Sequence, residues 1–252
     1  VKPYYESDDV TLFHGDCREI VASMEDASVD LVLTDPPYGH NNNDGDLIAN
    51  IEAALGRGPA QEGRPITNDG PEANELALWL FAESARLLRP GCCCCCCCCC
   101  CCGGGGPDPQ FARWSMWMDD PLQFKQMVVW DKGPMGLGWH YRRSYETVLV
   151  AQKRGGPCKW YDETGTIENI IRHIPKLIPS AEDHPTPKPV ALLAHFLRLH
   201  TATGDLVLDP FAGSGTTLVA SRLLGRRCIG VEIDERWCEL AARRLSQETF
   251  HV

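Results

Sequence analysis

At 252 residues the chain is long enough for one α/β domain with a sizeable core, or for such a domain carrying a small insertion. Its net charge of −10 excludes binding to nucleic acid through overall basicity, so any phosphate contact has to come from a local cluster of Lys and Arg. Its fifteen cysteines exclude an ordinary disulfide framework. Eleven form an unbroken run from Cys92 to Cys102 with no metal or disulfide spacing, which reads as low-complexity sequence or an artefact of how the sequence arose, and Cys17, Cys158, Cys228 and Cys238 are scattered.

Val10 to His14 reads as a first strand, Gly15-Asp16 as a turn, and Cys17 to Met24 as a short helix for which Asp16 is a suitable N-cap. Val29 to Thr34 is short, β-branched and apolar, a buried strand that ends where Asp35-Pro36-Pro37-Tyr38 begins. Those four residues set a carboxylate, a stiffened backbone carbonyl and an aromatic ring at a strand C-terminus, the place where open α/β sheets carry their chemistry. Such a trio suits a planar amino group. Gly39 to Gly70 is crowded with Asn, Asp, Gly and Pro, has only a brief helical stretch from Asp46 to Leu55, and reads as a mobile loop.

Glu72 to Arg89 places Leu76, Leu80, Ser84 and Leu87 or Leu88 near helical spacing, with Pro90-Gly91 as its stop. The cysteine run then occupies the place where an α/β alternation calls for a strand, so that strand is left unread. Phe111 to Met118 reads as a helix, Gln126 to Trp130 as a strand, and Gly138 to Val150 as a stretch ending in another apolar strand. Between Lys132 and Trp160, Lys132, Arg142, Arg143, Lys153, Arg154 and Lys159 face Glu146 alone, which makes this the candidate basic patch. Gln152 to Asp183 has little apolar periodicity outside Ile167 to Ile178. Val190 to His200 is an apolar helix reached through His184-Pro185-Thr186-Pro187-Lys188-Pro189, with Pro189 well placed at its start.

Leu206-Val207-Leu208 is a strand, Asp209 to Thr217 a Gly-rich loop, and a helix follows through Leu224. Gly213 and Gly215 allow close backbone approach to a ligand, the helix N-terminus suits an anion, and Thr216 or Thr217 adds a hydroxyl. Arg227 to Val231 is a strand ending in Glu232, seventeen residues beyond Gly215, where an acid can hydrogen-bond both ribose hydroxyls. The unit reads as a nucleoside site. A nicotinamide dinucleotide is the rival ligand, but Leu218 stands where its third glycine would be.

Asp35-Pro36-Pro37-Tyr38 first and the Gly-rich loop last is an order that resembles the β group of DNA amino-methyltransferases, of phage or bacterial type. The resemblance implies an α/β, Rossmann-like, S-adenosylmethionine-dependent fold, circularly permuted. It would have a mostly parallel sheet, helices on both faces, and the strands near Leu31 and Leu206 adjacent at the centre. It implies a single catalytic domain over residues 1–252, with the loop at 39–70 folding over DNA and a short target-recognition segment at 152–183. Asp35, Pro36, Pro37 and Tyr38 become the catalytic set: the Asp35 carboxylate and Pro36 carbonyl accept the amino hydrogens, and Tyr38 stacks on the base. The cofactor set becomes Asp16, Lys188, Asp209, Phe211, Gly213, Ser214, Gly215, Thr216, Thr217 and Glu232, with Asp16 at the adenine end and Lys188 near the methionine portion. Pro187 replaces the family's usual Gln, which removes any contact made by that side chain.

Asp in the first motif position favours adenine N6, with cytosine N4 the alternative. A DNA- or cofactor-binding protein that keeps the site without turnover is the alternative of a different class. The partner implied is double-stranded DNA, and homodimer formation stays open. Scattered cysteines, no apolar leader and no stretch of membrane-spanning length point to the cytoplasm of a bacterial or phage-infected cell.

Overall fold

A computed structural model describes residues 1–37, 72–98, 110–133, 144–177 and 188–247. Within them the strands are β1 (Tyr5–Glu6), β2 (Val10–His14), β3 (Val29–Thr34), β4 (Leu88–Cys98), β5 (Gln123–Asp131), β6 (Tyr145–Gln152), β7 (Ile170–Ile171), β8 (Leu206–Asp209) and β9 (Arg227–Glu232). The helices are α1 (Cys17–Ala22), α2 (Ala73–Leu87), α3 (Gln110–Asp119), α4 (Val190–His200), α5 (Thr216–Leu223) and α6 (Glu235–Leu245).

All nine strands join one sheet in the order β1-β2-β9-β8-β3-β4-β6-β5-β7. The centre, β2-β9-β8-β3-β4, is parallel, and β6 returns antiparallel between β4 and β5. As expected, β3 lies beside β8, with Leu31 opposite Val207 and Val32 opposite Leu208. From β8 the chain proceeds to β9 and from β3 to β4, in opposite directions across the sheet, which opens a crevice beyond the C-terminal ends of β3 and β8.

Every residue of β3 is buried, because helices cover both faces of the sheet. The two-residue period of the strand sends Leu31 and Leu33 into a core with Phe196 and Leu197 of α4, Leu218 of α5 and Ala241 of α6. Val32 turns to the opposite core, with Ile20 of α1, Leu80 and Phe81 of α2 and Trp114 of α3. The cysteine run supplies the strand that the sequence left unread. Cys93, Cys95 and Cys97 face the first core and Cys92, Cys94 and Cys96 the second, each acting as a small buried hydrophobe. Burial pushes the thiols of Cys94 and Cys95 well above the ordinary range.

Other expectations change. The helix expected over Glu72 to Arg89 ends at Leu87, and Pro90-Gly91 lies inside β4 rather than after a helix. Gly91 has φ +85°, and a Cβ there would stand 2.0 Å from the Pro157 carbonyl oxygen, so the strand bends past the Pro157 backbone. The basic stretch does not form one surface. Lys132 is buried and pairs with Glu146 at 3.1 Å. Lys153 and Arg154 donate to the carbonyls of Arg86, Asp119 and Asp120, and Lys159 to Asp30, all at the end of the sheet where β3 begins. That end is a strand's length from Asp35. Arg142, Arg143, the proposed loop at 39–70 with its helical stretch, and residues 178–183 lie outside the described residues. Among those described, no helix is long and apolar enough to cross a membrane.

Two features at this level have measurable consequences. Asp30, 1% exposed, accepts from Arg89, from Lys159 at 2.9 Å and from the Leu206 amide at 2.9 Å, joining β3, β8 and the Lys159 segment. Burial pushes its pKa up, but those donors outweigh burial and hold it below the usual carboxylate range. Asp30→Ala is expected to cost about 2 to 4 kcal/mol in urea unfolding, since both cations keep partial access to water. With its pKa lowered in the folded state, the contribution of Asp30 is present above the unfolded value near ~4 and fades as pH falls below it. The mutant should therefore lose less stability than the parent over that acid range.

Gly215, the N-cap of α5, has φ +77°, and a Cβ there would lie 2.8 Å from that of Ala241 on α6. Gly204, with φ +85°, has nothing within 4 Å. Gly204→Ala should thus cost only backbone strain, about 1 to 2 kcal/mol. Gly215→Ala adds a backbone collision and should cost about 2 to 4 kcal/mol by the same unfolding measurement.

Candidate active site

At the crevice, Thr34 closes β3 and donates its hydroxyl to the Asp209 carboxylate at 2.6 Å. Asp209 ends β8 and also receives the Phe211 amide at 3.1 Å and the Thr217 hydroxyl. Burial pushes its pKa up against these three donors. The loop after Asp209 turns tightly, with the Ala212 amide on the Val231 carbonyl and the Gly215 amide on the Ala212 carbonyl, both at 2.8 Å. Arg244 of α6 braces it from behind, donating to the Ser214 carbonyl at 2.6 Å, the Ser214 hydroxyl at 3.1 Å and the Thr216 hydroxyl at 3.2 Å. Beyond the loop, the amides that open α5 form the positive end of that helix.

Glu232, the last residue of β9, accepts the Gly213 amide on one carboxylate oxygen and the Asp234 amide on the other, each at 2.8 Å. Burial raises its pKa, with both amides acting in the opposite direction. A carboxylate offers about four lone-pair directions, so each oxygen keeps capacity for a further donor. Asp16 caps α1 through the Arg18 amide at 2.8 Å and pairs with the Arg18 guanidinium at 2.6 Å, whose hydrogen bonds lower its pKa.

These groups surround one cavity that opens to solvent. Its walls include Asp16, Asp35, Pro36, Pro37, Lys188, Asp209, Phe211, Gly213, Ser214, Thr216, Thr217 and Glu232. Residues chosen from five separate stretches of sequence thus meet. Gly215 sits beside these walls, and its lack of a side chain makes room for Ala241 of α6. Tyr38 lies outside the described residues. The Leu218 position, which differs from a dinucleotide pattern, is accommodated by Gly230 on β9, where a Cβ would stand 2.7 Å from the Leu218 side chain.

Asp35 lines the cavity one residue beyond the end of β3. It is 26% exposed, hydrogen-bonded by the Lys188 ammonium, and its pKa is pushed up to about 6. Burial is the main cause; Lys188 opposes it, and the charges of Glu146 and Asp209 add to it. Lys188, expected near the methionine portion of the cofactor with an ammonium able to meet a carboxylate, pairs within the chain with Asp35 and, at 3.5 Å, with Glu146. Sequence reasoning missed Glu146, Thr34 and Arg244. Glu146 alone carried a signal, as an acid at the start of an otherwise apolar strand.

The comparisons with known proteins agree with this geometry. The DNA methylase family of N6 and N4 methyltransferases matches residues 29–243. The chain is 26% identical to the type II methyltransferase M2.MboI of Moraxella bovis over 269 residues, covering 99% of this chain and 93% of that protein. It is 25% identical to the DNA adenine methyltransferase YhdJ of Escherichia coli, covering 93% and 82% respectively. Among solved structures, the DNA modification methylase TTHA0409 of Thermus thermophilus in complex with S-adenosyl-L-methionine superposes with a TM-score of 0.66 at 28% identity, covering 93% of this chain and 94% of that one. With a family match across most of its length and that family's motif order around one crevice, the chain belongs to the DNA methylase family and is a DNA amino-methyltransferase.

Proposed function

We propose that the protein methylates adenine N6 in double-stranded DNA at a specific sequence, with S-adenosylmethionine as donor. The observation that carries this reading is the meeting of Asp35 and Pro36 with Glu232 and the 209–217 loop around one cavity. The cavity suits the donor: the opening turn of α5 offers amides and a positive dipole end to a carboxylate, and Glu232 keeps acceptor capacity for ribose hydroxyls. Asp16 and Phe211 would meet the nucleoside end, and Gly213, Ser214, Thr216 and Thr217 the remainder. When bound, the donor supplies an electrophilic methyl group.

An amino nitrogen conjugated with its ring is a poor nucleophile, so the site has to favour the tetrahedral, positively charged nitrogen that forms during transfer. The Asp35 carboxylate and the Pro36 carbonyl accept its two N–H bonds, turning the lone pair toward the donor and stabilising the developing charge. Tyr38 stacks on the base. An amino group inside a duplex cannot reach this crevice, so the nucleotide is flipped out at a cost of about a few kcal/mol. Asp in the first motif position supports adenine as the acceptor.

In this reading residues 1–252 work as one catalytic domain in the cytoplasm of a bacterial or phage-infected cell. Within the segment at 152–183, Lys153 to Lys159 sit at the far end of the sheet. Base reading is therefore assigned to the later part of that segment, which follows the pairing of Ile170-Ile171 with Val129-Trp130.

Incubation with mixed-sequence duplex DNA and donor, followed by mass analysis of nucleosides, should give N6-methyladenine. N4-methylcytosine would reassign the base, and neither product would sink the activity. Asp35→Ala should lower turnover about a hundredfold to a thousandfold while donor affinity, measured by calorimetry, stays near that of the parent. Near-normal turnover would remove Asp35 from the reaction.

Glu232→Ala should weaken donor binding by about 1.5 to 3 kcal/mol, the size of hydrogen bonds to a charged group. Calorimetry again decides, and unchanged affinity would exclude Glu232 from the donor site.

A further inference from the structure

Behind Asp35 runs a line of buried charges that the reaction above leaves unused. Lys132 follows β5 and donates to one oxygen of Glu146, the second residue of β6, at 3.1 Å. The other Glu146 oxygen lies 3.5 Å from the Lys188 ammonium, which hydrogen-bonds Asp35. The Lys132, Glu146 and Lys188 side chains are 3%, 9% and 7% exposed, so the line is dry except at Asp35. Apolar side chains of similar volume would serve the fold about as well. What the charged line adds is a field at Asp35, its most exposed member, in the cavity wall.

We propose that Glu146 is a positioning residue for methyl transfer: it holds the Lys188 ammonium between two carboxylates, so that Asp35 stays ionised and yet keeps its strength as an acceptor for the base's amino group. The inference rests on the reading of Asp35 as that acceptor. A Lys188 drawn wholly onto Asp35 would compete with the amino hydrogens for its oxygens. Without Lys188, Asp35 would be buried facing Glu146 on β6 and Asp209 at the end of β8, and would hold a proton near neutrality. Among the described residues Cys97 on β4 also faces it, and stays a neutral thiol because burial pushes its pKa far up. The pKa of Asp35, pushed up to about 6, agrees with a balance between these extremes. Lys132 fixes Glu146 from the rear.

Single-turnover methylation of duplex DNA, at saturating S-adenosylmethionine and across pH, reads this balance directly. The parent should lose rate on the acid side with a midpoint near the Asp35 value of about 6. Glu146→Gln removes a negative charge and releases Lys188 to Asp35, so the midpoint should fall by about one pH unit. Turnover at neutral pH should fall on the order of tenfold as Asp35 becomes a weaker acceptor. Lys188→Met should move the midpoint the opposite way, by about one pH unit or more. The double variant Lys132→Met, Glu146→Leu removes the Lys132–Glu146 pair together, keeps the test open should Glu146→Gln fail to fold, and should shift the midpoint in the Glu146→Gln direction. Midpoints that stay in place, or that move together in the Glu146 and Lys188 variants, would overturn the proposal. Asp35→Ala separates the two levels: if it retains turnover the acceptor reading itself fails, and if it is inactive while the midpoints stay fixed only the role of Glu146 fails.

Discussion

The buried hydrogen bond from Thr34 to Asp209 ties the ends of the two strands on which the site hangs. β3 and β8 share only a short ladder, Leu31 to Val207 and Val32 to Leu208, before the crevice opens. Asp35 follows Thr34 by one residue, and the Gly-rich loop follows Asp209 directly. One side-chain bond therefore references the amino-group acceptor and the donor loop to each other. Its cost is a carboxylate buried at a sheet's centre, offset by three donors that also fix the loop's first turn and the start of α5.

Much of this was legible in the sequence, for reasons particular to the elements. β3, β8 and β9 are apolar strands that stop at or just before residues disfavoured in a strand, Asp35-Pro36, Pro210 and Asp234, so both their existence and their working ends could be read. β4 was not legible because eleven identical residues carry no period, and Pro90-Gly91 resembled a helix stop. The close pass of Gly91 over Pro157 made it part of a strand instead, a tertiary contact that no local pattern records. Charge counted along the chain also misled. Lys132 and Lys159 are 27 positions apart in sequence and fall within one basic stretch, yet one is buried behind the site and the other is tied to Asp30 at the opposite end of β3.

Glycine does two kinds of work here, and sequence alone does not tell them apart. Gly213 lies in the cavity wall, with its amide on Glu232. Gly215, two residues on, admits α6. Gly230 does the same on the sheet, making room for Leu218 so that α5 can lie close to β9. The fold thus obtains from the strand the close helix packing that a dinucleotide site obtains from a third glycine on the helix.

β3 carries a carboxylate near each end, and the two have opposite surroundings. Asp30 is met by two cations and an amide and ionises readily, while Asp35 shares one ammonium with Glu146 and holds its proton up to about pH 6. Protonating Asp35 relieves the fold, because its pKa is raised on folding; protonating Asp30 weakens it. With Asp35 as acceptor, methyl transfer should fade on the acid side before Asp30, whose pKa is lowered, gives up its contribution to stability.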